Sequence, residues 1–213
     1  LKNPALAQRN ALQALVNDAA ELDAESLSHY YAMLLKSADA QVELLYNLLD
    51  WARVQTDRIP FTPVTFSLSR VVEDEVSLMH MPIESKSIRL TVDVSDDLCA
   101  NADRNMVATV LRNLLTNAIK FSHPEGRIAI SARQDGAWIT VSVADDGVGM
   151  SADKLRTLFD AGREQSTRGT RGETGSGLGL VVCKHFVERN GGRLTAHSEE
   201  SRGTTFHFTL KAK

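Results

Sequence analysis

The sequence has 213 residues, with 24 Lys+Arg against 27 Asp+Glu and a formal charge of −3. Hydrophobic residues at 43% and charged residues at 24% are a globular composition that fits one or two domains. The slight acid excess argues against a general nucleic-acid binder, which would concentrate basic residues on one face. No apolar run approaches the roughly 18 residues of a membrane-spanning helix and no signal-peptide pattern is present, so any membrane attachment would come through other segments. Cys99 and Cys183 are far apart, without a CxxC or Cys/His cluster, which predicts a reduced cytosolic setting and no zinc site. The first residue is Leu1 rather than methionine, and the sequence reads as a piece of something longer.

Residues 1–57 contain no glycine and one proline, Pro4. Apolar residues recur at spacings of four and three: Leu1, Ala5, Leu12, Leu15, Ala19 and Leu22, then Leu27, Tyr31, Leu34, Ala38, Leu45, Leu48 and Ala52. Gln8 and Gln41 interrupt the two stripes, and Leu35, Val42 and Leu49 widen the second. The spacing predicts two long helices joined near residues 23–25. The stripe is too broad for a two-stranded seam. Pairing of two such antiparallel hairpins into a four-helix bundle would bury it, giving a homodimer. The alternative is a hairpin packed on its own neighbouring domain.

Pro60 and Pro63 break the helical pattern and mark a linker over 58–65. Beyond it, helical and extended signals alternate. A helix is expected around 67–81, a half-buried strand over 88–94 and a helix over 103–121. Strands over 127–133 and 138–144 flank Asp135-Gly136, a strong hairpin signal. A short helix near 151–159, a loop over 160–175, a helix over 177–190, and strands over 193–198 and 204–210 complete the chain. The expected fold class is α+β: a helical hairpin (1–57), a linker, and an α/β sandwich (66–213) with a mixed, mostly antiparallel sheet.

Three segments of the second region converge on one chemistry. On the helix over 103–121, Asn113, Asn117 and Lys120 are four and three apart and share a face. Two amide oxygens beside an ammonium suit Mg²⁺ next to phosphate oxygens. The sequence Asp145-Asp146-Gly147-Val148-Gly149-Met150 then follows a strand. There a carboxylate can accept a hydrogen bond from an exocyclic amine, and the glycines let a flat ring approach. Gly175-Ser176-Gly177-Leu178-Gly179-Leu180 opens a helix, whose exposed backbone N–H groups suit phosphate. The bland readings are a polar helix face, an Asp-Gly turn and a glycine-rich loop. No dinucleotide fingerprint or P-loop motif accompanies the glycines.

Together, in this order, the segments resemble sensor histidine kinases. Residues 113–122 look like the N box, 145–149 like the G1 box, Leu158-Phe159 like the F box and 175–180 like the G2 box. Gly203-Thr204-Thr205-Phe206 also fits, and residues 1–57 look like the dimerisation and phosphotransfer hairpin. The resemblance implies an ATP-binding catalytic domain in which Asn117 coordinates Mg²⁺, with Asn113 and Lys120 beside the metal and phosphates. It implies that Asp145 binds the adenine amine, with Gly147, Gly149 and Thr204 nearby. Gly175, Gly177, Leu178 and Gly179 would cradle the phosphates at the hinge of an ATP lid, and Phe159 would pack the lid's near end. Arg163, Arg168 and Arg171 could meet the triphosphate or be solvated charges.

The resemblance further implies transfer of the γ-phosphoryl group to a hairpin histidine, then to an aspartate of a response-regulator partner. Leu1-Lys2-Asn3-Pro4 resembles the tail of the H box, which would put the acceptor two positions before Leu1. Such a piece would be unable to phosphorylate itself. Asn3 would match the polar position that positions water for dephosphorylating the partner. His29 lacks the following acid and downstream proline of an acceptor and reads as structural. Two rivals stay open. One is a gyrase-, Hsp90- or mismatch-repair-type ATPase, which would carry Glu where Asn113 stands. The other is a dimerisation scaffold with a degenerate nucleotide site.

Overall fold

A computed structural model describes residues 2–18, 22–55, 60–160, 167–173 and 177–213. Two long helices, α1 (Lys2–Asp18) and α2 (Ala24–Gln55), come first. They pack on each other, and Gln41 Nε2 donates to Gln8 Oε1. The two glutamines that interrupt the apolar stripes thus satisfy one another across the α1–α2 contact. Ala11 is buried there. On the same helices Leu12, Val16, Tyr31, Leu35, Val42 and Leu45 remain exposed. Helix α2 also touches the later helix α7 (Gly179–Arg189). Among the described residues no helix is long and apolar enough to cross a membrane.

The rest of the chain forms β1 (Val64–Ser67), α3 (Leu68–Leu78), α4 (His80–Ser85), β2 (Arg89–Asp93), β3 (Cys99–Ala102) and α5 (Arg104–Phe121). The hairpin β4 (Arg127–Asp135) and β5 (Trp138–Asp145), then α6 (Ala152–Arg156), α7, β6 (Leu194–Glu199) and β7 (Gly203–Lys211) follow. Five strands make a mixed, mostly antiparallel sheet in the order β2-β4-β5-β7-β6. Only the β2–β4 pair is parallel.

Period-two alternation puts Ile128, Ile130 and Ala132 of β4 on the face that also carries Ile139, Val141 and Val143 of β5 and Phe206, Phe208 and Leu210 of β7. Helix α5 lays Met106, Val107, Val110, Leu111, Leu114, Leu115, Ala118 and Ile119 on this face at spacings of three and four. Val71 and Val72 of α3, and Val182, Cys183, Phe186 and Val187 of α7, complete the same core. Helix α5 is therefore the central strut, and its polar face looks away from the sheet. The β4–β5 turn is the two residues Gly136–Ala137, with Gly136 at φ +55, as a tight hairpin needs.

Three features differ from the expected pattern. The helix expected over 67–81 is two helices, broken at Met79 (φ −95, ψ 6) and resumed through Pro82 to Ser85. Pro82 falls in the first turn of α4, where its missing N–H would have no intrahelical partner. Four-residue strands β1 and β3 form a small antiparallel sheet, with Val64 opposite Ala102. Residues 64 and 65, expected in the linker, lie in β1. The helix expected over 151–159 is shorter, at Ala152–Arg156.

Candidate functional site

Asp145 ends β5, in register with Thr204 of β7. Its Oδ1 accepts the backbone N–H of Gly147 at 3.0 Å and of Thr204 at 3.3 Å. Burial pushes the carboxyl up from 3.8 to about 6, against those two hydrogen bonds and with a further push from the Asp146 carboxylate. The loop after it is gripped on two sides. Val148 N–H donates to the Phe121 carbonyl at the end of α5 at 3.1 Å. Ser201 N–H from the β6–β7 turn donates to the Val148 carbonyl at 2.8 Å.

This grip leaves no room for side chains at two of the expected positions. A Cβ on Gly147 would stand 2.2 Å from the Phe121 carbonyl oxygen. One on Gly149 (φ +64) would stand 1.9 Å from the Glu199 carbonyl oxygen. Gly203 (φ +93) meets the same limit against the Asp145 carbonyl, also at 1.9 Å. Close backbone approach thus demands glycine at all three positions, and left-handed φ adds to it at Gly149 and Gly203. Thr204 is buried, and its hydroxyl lies 2.9 Å from Ser198 Oγ.

Asn113, Asn117 and Lys120 sit half-buried on α5. Asn113 Nδ2 donates to the Thr109 carbonyl at 3.0 Å. One of its two amide N–H donors is engaged there, and its amide oxygen is the atom Asn113 can offer a cation. Oxygen ligands are what a hard divalent cation takes, so the donor set fits Mg²⁺. The Lys120 ammonium lies 4.8 Å from the centre of the Phe121 ring. Phe159 and Leu158, just past α6, pack partly buried against the core.

Gly177 adopts φ +72, Leu178 begins α7 without a side-chain cap, and Gly179 is the first helical residue. Its first backbone N–H groups have no intrahelical partner, which favours an anion. Gly175 and Arg163 lie outside the described residues, as does the side chain of Asn3. Arg168 is exposed. Arg171 does more than face solvent: its Nη1 donates to the Ser85 carbonyl at 2.8 Å.

Sequence reasoning passed over Lys86. Its side chain is 4% exposed, and its ammonium meets the last carbonyls of α5 and the carboxylate of Glu173. Between Ser85 and Ser87 it has the look of a solvated turn lysine, and no local signal marks its burial. Among the described residues no group of three or more His, Cys, Asp or Glu could hold a metal ion. A cation here would rely on amide and ligand oxygens.

The site thus joins a buried carboxylate over a glycine floor, a helix presenting amide oxygens and an ammonium, and an uncapped helix N-terminus. That set can hold a ring amine at one end and phosphates at the other. Residues 102–213 match the family described as histidine kinase-, DNA gyrase B- and HSP90-like ATPases. The sensor protein GacS of Pseudomonas syringae pv. syringae is 29% identical over 189 residues, covering 85% of this chain and 21% of its own length. Acinetobacter baumannii histidine kinase AdeS has a similar fold, with a TM-score of 0.77 at 18% identity over 99% of this chain and 95% of that one. Histidine kinase ThkA, solved in complex with response regulator protein TrrA, gives 0.77 at 20% identity over 100% of this chain and 58% of that one. The chain spans between a fifth and about half of the length of the curated relatives it matches. The chain belongs to the histidine kinase-, DNA gyrase B- and HSP90-like ATPase family, and its catalytic domain is of the sensor histidine kinase type.

Proposed function

We propose that this chain is the ATP-binding and phosphotransfer core of a sensor histidine kinase, with residues 66–213 as the catalytic domain and 1–57 as a hairpin that dimerises into a four-helix bundle. The observation that carries the reading is the Asp145 clamp. Two backbone N–H groups hold one carboxylate oxygen of a buried aspartate, over glycines that allow nothing larger. In this reading Asp145 accepts the adenine amine, while Gly147, Gly149 and Thr204 shape the floor under the ring. Gly175, Gly177, Leu178 and Gly179 present backbone N–H groups to the phosphates, and Phe159 supports the near end of the lid.

Asn117, with Asn113, would hold Mg²⁺, which when bound neutralises phosphate charge. Lys120 adds a fixed positive charge beside the γ-phosphoryl group. The protein's contribution is positioning and charge, as in other phosphoryl transfers. The γ-phosphoryl group passes to an imidazole nitrogen, ADP leaves, and the phosphate moves on to a regulator aspartate.

His29 is exposed on α2 and has no acid after it. By the register of residues 1–4, the acceptor stands two positions ahead of Leu1, and Asn3 positions water for dephosphorylating the regulator. Exposed Leu12, Val16, Tyr31, Leu35, Val42 and Leu45 support the dimer, since so many large apolar groups on two helices need a partner. The solved complex of ThkA with a regulator supports a receiver domain as the second partner.

The test is nucleotide binding and labelling. The chain should bind a non-hydrolysable ATP analogue with Mg²⁺ dependence that weakens in Asn117→Ala, and it should lose binding in Asp145→Ala. Radiolabelled ATP should leave no stable label on His29. Multiple-turnover hydrolysis abolished by Asn113→Ala would favour a gyrase-type ATPase instead, and no binding at all would favour a scaffold.

A further inference from the structure

We infer that Lys86 and Glu173 are positioning residues, which pin the segment over 167–173 to the C-terminal end of α5 and thereby fix Lys120 for phosphate. The inference rests on the nucleotide reading above. It starts from a cation in an unusual place. The Lys86 side chain is only 4% exposed, which lysine accepts only when its charge is answered.

Its ammonium donates to the Ile119 carbonyl at 2.7 Å, the Lys120 carbonyl at 3.0 Å and Thr170 Oγ1 at 2.9 Å. It also pairs with Glu173 Oε1 at 2.6 Å. Ile119 and Lys120 are among the last four residues of α5, whose carbonyls have no intrahelical partner. Lys86 therefore supplies from outside the cation that a helix C-terminus favours.

The segment is sewn to the same place by its own backbone. Thr170 N–H donates to the Lys120 carbonyl at 3.1 Å, and Thr170 Oγ1 donates to the Ser122 carbonyl at 2.7 Å. Gly169 N–H donates to the Glu173 carbonyl at 2.8 Å, closing the segment into a compact turn. Arg171 N–H donates to Glu173 Oε2 at 2.7 Å, so one carboxylate serves both the turn and Lys86. A Cβ on Gly169 would lie 2.6 Å from Lys120 Cγ and 2.7 Å from its carbonyl oxygen. The turn thus lies directly on the stem of Lys120.

Three parts of the chain distant in sequence meet at one buried ammonium: the end of α4, the end of α5, and the turn that carries Thr170 and Glu173. Glu173 ties the turn to Lys86. Burial pushes its carboxyl up, but the hydrogen bond and charge of Lys86 and the Arg171 N–H outweigh this and leave it below the usual glutamate value. Removing its charge should loosen the turn and with it the aim of Lys120. The carboxylate of Asp145, which would meet the base, is a separate part of the site.

The variant is Glu173→Gln in the full chain, since this side chain is 30% exposed and its size is kept. The readouts are affinity for Mg-AMPPNP and for adenosine, together with hydrogen exchange at the Thr170 amide. The expected result is about tenfold weaker AMPPNP binding, the worth of one well-placed polar contact. Adenosine binding should stay within about twofold and Thr170 exchange should accelerate. Equal loss for both ligands would mean general damage and would overturn the positioning role, as would no loss for either. Unchanged Thr170 exchange would overturn the pin itself, whatever the ligands do. If the parent chain binds neither ligand, the nucleotide reading fails and takes the positioning role with it, while Thr170 exchange still reports whether the pin exists.

Discussion

Asn190 Oδ1 accepts the Asp103 backbone N–H at 2.7 Å, so the residue that caps the start of α5 is held by the residue that follows the end of α7. Asp103 is almost fully buried and uses both carboxylate oxygens. Oδ1 accepts the N–H groups of Asn105 and Met106, each at 3.1 Å, and Oδ2 accepts the Thr62 N–H at 3.0 Å and its hydroxyl at 3.2 Å. One side chain therefore joins the stretch after α2 to the helix that carries Asn113, Asn117 and Lys120.

Asp103→Ala removes the helix cap and leaves the Thr62 donors without their acceptor. A cap is worth about 1 kcal/mol, and Thr62 is exposed, so water replaces the acceptor that its donors lose. A loss of about 1–2 kcal/mol in urea unfolding is expected. Thr62→Val, which spares the cap, should cost only about 0.5 kcal/mol.

Asp145 should set stability and binding against each other. Its folded carboxyl titrates near 6 rather than 3.8, with burial the largest cause. Between those values the folded state binds the proton more tightly than the unfolded state, so lowering the pH stabilises the fold at this residue. At pH 7 the ionised form is a cost on the order of 2 kcal/mol, from about two pH units at about 1.36 kcal/mol each with allowance for partial exposure. That cost is relieved as pH falls through about 6. Asp145→Asn keeps an oxygen for the Gly147 and Thr204 N–H groups and removes the charge. It should raise the stability of the ligand-free chain at pH 7 and abolish analogue binding. In the parent chain, analogue affinity should drop as pH falls through about 6. Calorimetry over pH 5 to 8 reads both trends.

Where the sequence carried a long periodic signal, it was enough. Helix α5 keeps eight buried residues at helical spacing behind a capping aspartate, and the β4–β5 hairpin alternates cleanly across a glycine turn. The turn after Asp145 was legible because its glycines, Gly147 and Gly149, stand where a Cβ would run into backbone oxygen. Strands β1 and β3 were not, because four residues hold too few alternations and each is specified by its partner. The parallel β2–β4 pair depends on where α5 returns the chain, which no local pattern states. Lys86 was illegible for the same reason: its partners Ile119, Lys120, Thr170 and Glu173 lie 33 to 87 positions away.

The glycine floor should tolerate no methyl group. At Gly149 the added carbon of alanine would fall 1.9 Å from a backbone oxygen at φ +64, so the strain of left-handed backbone adds to a clash with main chain that cannot swing aside. Gly149→Ala should cost several times the roughly 1 kcal/mol of a simple left-handed alanine and should abolish analogue binding. Gly136, also at φ +55 but with nothing within 4 Å of its would-be Cβ, is the control. Gly136→Ala should cost only about 1 kcal/mol and leave binding intact. Thermal melts and analogue titration of the two variants separate conformational strain from steric exclusion.

Arg112 precedes Asn113 on α5 and forms a two-pronged pair with Glu75 of α3, Nε to Oε2 at 2.9 Å and Nη2 to Oε1 at 3.0 Å. The pair is lopsided: the glutamate side chain is 5% exposed and the arginine 49%. Loss of Arg112 would strand a buried carboxylate, whereas loss of both would leave two side chains able to pack as hydrocarbon. Breaking such a pair on one side costs about 3–5 kcal/mol, while replacing both members is often close to neutral. Arg112→Met should therefore destabilise the chain by about 3 kcal/mol, and Glu75→Leu with Arg112→Met should recover most of it. The two glutamate oxygens hold α3 against the helix that carries Asn113 and Asn117, so analogue binding should follow stability through the cycle. A double variant as unstable as the single one would show that the pair's charges, rather than its burial, hold α3 to α5.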